Sequence, residues 1–187
     1  MNRQRHTAVA VMAGLALATA GCGAPTAQEV STDGSRFRFE VPVEYGQIEF
    51  GIDPLTAQGV AYGTPGTDSA DVPSDPVLVM TAGSGGEAAS FRSLRELSTG
   101  GAFDPLDPGD DVDAGNLQIL GYDEIITPEV WGVRLQLALG RAGTDFQALV
   151  DRRSDDITVS QLICTQACFN DHLDLIDEVQ TSWRLEE

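Results

Sequence analysis

Hydrophobic residues along this chain alternate with period two in several separate runs, and beyond residue 30 they take helical spacing in two stretches. The run SRFRFEVP at 35–42 sets Phe37, Phe39 and Val41 on one side and Arg36, Arg38 and Glu40 on the other, the pattern of a half-buried strand. QIEFGID repeats it, with Ile48, Phe50 and Ile52 against Gln47 and Glu49, and Tyr45-Gly46 between the runs predicts an antiparallel hairpin. PVLVMTA at 76–82 is a further apolar strand. LQILGYDEIIT, VWGVRLQLAL, DFQALVDRR and ITVSQLIC then follow one another across short connections at Pro128-Glu129, Arg141-Ala142-Gly143 and Ser154-Asp155-Asp156, which predicts an antiparallel meander.

Helical spacing first occurs in EAASFRSLREL at 87–97, where Ala88, Phe91, Leu94 and Leu97 share a face. It returns from about Asn170 to Leu185, where Phe169, Leu173, Ile176, Val179 and Trp183 make an apolar stripe and Asp171, Asp174, Asp177 and Glu178 face water. The expected architecture is α+β: an antiparallel sheet of six or seven strands flanked by at least two helices, in one domain spanning 35–187. Gly23 to Gly34 is small and polar and predicts a flexible tether over 22–34.

Residues 1–21 change the picture of where this domain works. Arg3 and Arg5 form a positive leader, Ala8 to Ala18 is an apolar run shorter than a bilayer span, and Ala20 and Gly21 lead into Cys22. This resembles the lipobox of bacterial lipoproteins, with Thr19 standing where the pattern usually has Leu. The resemblance implies a signal peptide over 1–21 and acylation of Cys22. Two or more acyl chains suffice for stable membrane attachment. The protein is then expected on the extracytoplasmic face of the cell membrane, held there by its N-terminal lipid.

Charge narrows the partners. The chain has 11 basic residues, all Arg, and 29 acidic ones; without residues 1–21 it keeps nine Arg against the same 29 acids, a net −20. Nucleic acid is excluded as a partner, because phosphate binding needs clustered cations and these arginines are scattered.

The opening FRFEVP, the long meander and the closing VQTSWR at Val179 to Arg184 are similar to the PsbP-like superfamily, which includes Mog-like proteins and a set of actinobacterial lipoproteins. The likeness spans Ser35 to Glu186. Val43-Glu44-Tyr45 stands where such domains often have Gly-Trp after the Pro. What the resemblance implies is an α/β/α sandwich used for binding or assembly, with no shared catalytic residues.

Candidate chemistry is sparse. Cys164 and Cys168 are the two thiols left beside Cys22, and an even pair in an exported protein reads as a disulfide. Four strand residues would hold their Cα atoms roughly 13 Å apart, whereas a bridge tolerates about 7 Å, so the chain must turn at Thr165 to Ala167, a strand-to-helix corner. With His172 they also spell C-x3-C-x3-H, a possible copper or zinc site of an extracytoplasmic carrier. A redox role fits poorly, since exchange motifs leave two residues between the cysteines.

His172 is the only histidine beyond the leader, so a hydrolytic triad would have to use it. Ser84 in AGSGGE lacks the G-x-S-x-G spacing of a nucleophile elbow, and the same glycines lack the Lys of a phosphate loop. Asp104, Asp107, Asp110, Asp111, Asp113 and Asn116 offer oxygen ligands, but the order of a calcium loop is not met. Trp131, Trp183, Tyr45 and Tyr122 could be core aromatics or a ligand cage. The expectation is a non-enzymatic envelope lipoprotein without cofactors, binding a partner protein or an apolar, lipid-like envelope molecule; the carrier is the alternative.

Overall fold

The computed structural model describes residues 25–49, 59–67, 72–84, 111–112 and 117–187. The main sheet is antiparallel throughout. In chain order its strands are β3 (Gly46–Ile48), β4 (Val60–Gly63), β5 (Val77–Ser84), β6 (Asp111–Val112), β7 (Leu117–Ile126), β8 (Val130–Leu139), β9 (Ala142–Asp151) and β10 (Asp156–Thr165). Across the sheet the order is β3-β4-β5-β10-β9-β8-β7-β6, seven strands of three residues or more with the two-residue β6 at one edge. The expected α+β class and meander are observed: β7 to β10 pair consecutively, with a bulge between Ile119 and Gly121.

Strand β9 is buried along all ten residues. Its alternation splits the core in two. Phe146, Ala148 and Val150 face a cluster with Ile119, Val133 and Leu135, while Leu149 faces the other side with Leu78, Met80, Val130 and Leu162. Over that second face lie two helices, α1 (Gln166–Asp171) and α2 (Leu173–Thr181), and a separate small sheet of β1 (Ala27–Val30), β2 (Phe37–Pro42) and β11 (Arg184–Leu185), in the order β1-β2-β11. Phe37, Phe39 and Val41 of β2 and Phe169, Ile176 and Val179 of the helices complete this core.

Three expectations are corrected. The tether is shorter than 22–34, because Ala27–Val30 pairs with β2 in register Ala27↔Pro42 to Val30↔Phe39. Polar composition concealed a strand whose inward residue is Val30 alone. Nor do β2 and β3 form a hairpin. The three inward apolar side chains of β2 press onto the face of the main sheet, so β2 belongs to a second layer, while β3 joins the edge of the first by pairing with β4. Between them Tyr45 donates its N–H to Pro42 O at 3.0 Å, and the Gln28 amide bonds the carbonyls of Pro42, Val43 and Tyr45, fixing the step from layer to layer.

The single helix expected from Asn170 to Leu185 is two helices and a strand. At His172 the backbone leaves the helical region (φ −120°), its N–H bonding Cys168 O and Phe169 O, and a new helix starts with Ile176 N–H on His172 O. Ser182 then takes the chain out of α2: its Oγ accepts from Glu40 N at 2.8 Å, tying it to β2, and Arg184–Leu185 pairs with that strand. The helix expected at 87–97 lies outside the described residues.

Candidate functional site

Where β2 passes alongside α2 the two leave a groove of about 260 Å³. Strand alternation turns Val41 into its floor and leaves Glu40 on its rim; the helix contributes Leu175, Glu178, Val179 and, past its end, Ser182, residues three and four apart that share one helical face. Thr26, Ala27 and Pro42 close one end, beside Glu44. The floor is apolar, with Val41 and Val179 buried and Leu175 half-buried, and the rim carries three carboxylates. Glu40 lies 3.7 Å from Arg184, whereas Glu44 and Glu178 form no ion pair among the described residues.

A polar stripe under α2 holds the helical wall in place. Arg134 of β8 donates from Nε to both oxygens of Asp145 at 3.0 Å and from Nη2 at 2.8 Å, and reaches Asp177 of α2 through Nη1 at 2.7 Å. Gln136 adds a bond to Asp145 at 2.9 Å. Gln180 of α2 accepts from Ser160 and donates to Asp145 O, both at 2.8 Å. Burial works against the Arg134 cation, yet its bonds to Asp145 and Asp177 keep its pKa above the ordinary value. Burial likewise pushes the Asp145 carboxyl up, with Arg134 and Gln136 opposing it. Gln147, between Arg134 and Ser160 across the sheet, is buried, and neither atom of its amide has a partner among the described residues.

Cys164 and Cys168 are joined as a disulfide, with Cα atoms 5.9 Å apart. The turn at Thr165 to Ala167 is where β10 becomes α1, the Thr165 hydroxyl capping the helix by accepting from Cys168 N at 3.3 Å. Gly143 lets α1 lie against β9, since a Cβ there would come within 2.4 Å of Phe169 Cβ. His172 Nδ1 is 2.9 Å from Cys168 O. The carrier site is therefore not assembled: its two sulfurs are spent on each other, and no group of three metal-binding side chains occurs among the described residues.

Ser84 ends β5; Asp111 is in β6; Cys22, Asp104, Asp107, Asp110, Asp113 and Asn116 lie outside the described residues. The four aromatics form no cage. Trp131 and Tyr122 pack on one face of the main sheet, with the Arg152 guanidinium 4.7 Å from the Trp131 ring, while Tyr45 and Trp183 pack on the other, Trp183 edge-on to Phe37 at 6.0 Å. Burial pushes the Tyr45 phenol up to about 12. The groove itself escaped sequence reading. Its one signal is the i, i+4 pair Leu175 and Val179, which reads equally as core.

A second opening of about 410 Å³ lies at the disulfide corner, lined by Val72, Gly140, Arg141, Thr165, Gln166 and Ala167. None of these lining residues is a buried apolar side chain.

No protein-family model matches the chain, and no curated protein matches it by sequence. Solved structures do match. The cyanobacterial PsbP of Synechocystis aligns with a TM-score of 0.54 at 11% identity, covering 88% of this chain and 95% of its own. The Ran-binding protein Mog1p of Saccharomyces cerevisiae aligns at 0.50 and 9% identity, covering 85% and 95%. LpqN of Mycobacterium tuberculosis, described as involved in cell envelope biogenesis, aligns at 0.49 and 11%, covering 87% and 93%. At these identities the likeness is one of fold.

Proposed function

We propose that this chain, whose fold is the α+β fold of PsbP and Mog1p, is a non-enzymatic lipoprotein of the cell envelope that works by binding a segment of a partner protein in the groove between β2 and α2. The groove carries the reading. At about 260 Å³ it falls below the roughly 300–1,000 Å³ of pockets that engulf a small molecule, so a lipid-like ligand fits it less well than a short stretch of chain. Its apolar floor suits an aliphatic side chain, and Glu40, Glu44 and Glu178 suit basic neighbours on that stretch. A shared fold with a protein named for binding Ran is consistent with action by contact. Attachment through an acylated Cys22 is supported by Arg3, Arg5 and the apolar run that precede it.

The test titrates the mature chain with a short peptide of apolar centre and two flanking arginines. Binding is expected, weakened by salt, lost with acidic flanks, and reduced at least about tenfold, or 1.4 kcal/mol, by Leu175→Asp. Equal binding of the acidic peptide, or none by either, removes the groove from the proposal. Mass spectrometry of the mature N-terminus tests the anchor: an unmodified Cys22 ends that part of the reading.

A further inference from the structure

The described chain begins at the same end of the domain as the disulfide corner. Thr26 accepts from Val43 N at 3.2 Å, and the strand registers carry that end across the sheet: Gly46 lies opposite Gly63, Val77 opposite Ile163, and Thr165 opposite Ala142. Thr165 N–H bonds Pro73 O and Gln166 N–H bonds Arg141 O, both at 2.8 Å. Three exposed aliphatic side chains project here: Val43 (49% exposed) in the turn after β2, Leu173 (43%) at the start of α2 and Leu139 (51%) at the end of β8. Of the other exposed aliphatic side chains among the described residues, Leu120 (38%) lies within β7 and Ile126 at the opposite end, near Arg152 and Arg153.

From these observations we infer that the disulfide end of the domain, led by Val43 and Leu173, rests against the bilayer surface, and that its contact is with zwitterionic headgroups. This rests on the reading of Cys22 as the lipid anchor. Because β1 starts at Ala27, four residues lie between the anchor and the folded body, and the five Cα-to-Cα steps reach at most about 17 Å. The turns after β7 and β9 lie a ten-residue strand farther off, about 33 Å. A tether this short keeps the arriving end near the lipid, and the Gln28 bonds hold the Val43 turn against that end. Glu44 and Asp75 beside Tyr45, and Asp171 and Asp174 at the junction of α1 and α2, outnumber Arg141 among the described residues of this end, so anionic headgroups repel it and neutral or zwitterionic ones do not. The groove ends at Thr26 and Ala27, so a segment bound there is presented close to the membrane.

The test uses the acylated mature chain in phosphatidylcholine vesicles, with a fluorophore placed through Val43→Cys, through Leu173→Cys or, at the far end, through Ser154→Cys, and headgroup spin labels as quenchers. Quenching several-fold stronger at positions 43 and 173 than at 154, falling as phosphatidylglycerol is added, is the expected result. Equal or reversed quenching in protein that floats with the vesicles overturns the orientation while leaving the anchor intact. Protein that carries no acyl chain and does not float overturns the anchor itself, and this inference with it.

Discussion

Arg134 and Asp145 meet on neighbouring strands with three nitrogen-to-oxygen contacts of 2.8–3.0 Å, and the Asp145 side chain is wholly excluded from solvent. Such a pair contributes little net stability, because desolvation offsets most of its attraction, but removing one partner leaves a buried charge. Arg134→Met is expected to cost about 3–5 kcal/mol in urea denaturation. Arg134→Met with Asp145→Leu together should recover most of that. A double variant as unstable as the single one would show that the pair stabilises the fold outright.

Gln147 lies between two polar neighbours that are engaged elsewhere, Arg134 with the acids and Ser160 with Gln180. An unpartnered buried donor or acceptor costs about 1–3 kcal/mol. Gln147→Met keeps the length and removes both polar atoms. It is expected to raise the urea midpoint at unchanged slope, by a gain within that range. A lower midpoint would mean that the amide is satisfied in solution.

Tyr45 gives the fold an alkaline limit. A tyrosine in the unfolded chain ionises near 10, and burial holds this one to about 12. The folded form therefore keeps the proton longer: the contribution to stability is complete below pH 10 and drains away as pH rises to 12, by roughly 2–3 kcal/mol. Tyr45→Phe should flatten the fall in stability between pH 10 and 12, and should remove the latest component of the ultraviolet phenolate titration.

The Cys164 to Cys168 bond closes a small ring, worth about 2 kcal/mol by loop-closure entropy. Replacing both cysteines with serine is expected to lower stability by about that much. Amide exchange should quicken mainly over Gln166–Asp171. Exchange unchanged in that segment would mean that the Thr165 cap and the contact of Phe169 with Gly143 hold the corner without help.

What could be read from the residues was whatever a single element decides alone. The meander strands were legible because VWGVRLQLAL and its neighbours alternate cleanly, and the corner at Thr165 because two cysteines four apart cannot bridge along a strand. Decisions between layers were not. Phe37, Phe39 and Val41 announce an inward face without saying onto which sheet, and the exit from α2 at Ser182 depends on that residue reaching Glu40, 142 positions away. Arg134 and Asp145 left a faint trace, each a charge on the face of its strand that also carries Val130 and Leu149. The groove left almost none, being the space between a strand and a helix far apart in the sequence.

Strand β2 has β1 on one side and β11 on the other, and the Arg36 side chain reaches the backbone of Glu186, 150 positions later. A chain that folds as its amino end emerges can zip β1 to β2 early but must wait for almost its whole length before that middle strand gains its second neighbour. Until then one edge of β2 stays open, and the apolar side chains it carries lack part of their cover. Delay at that point exposes the nascent protein to strand exchange with another copy, so the few residues around Arg184 act as the clasp that ends the hazard.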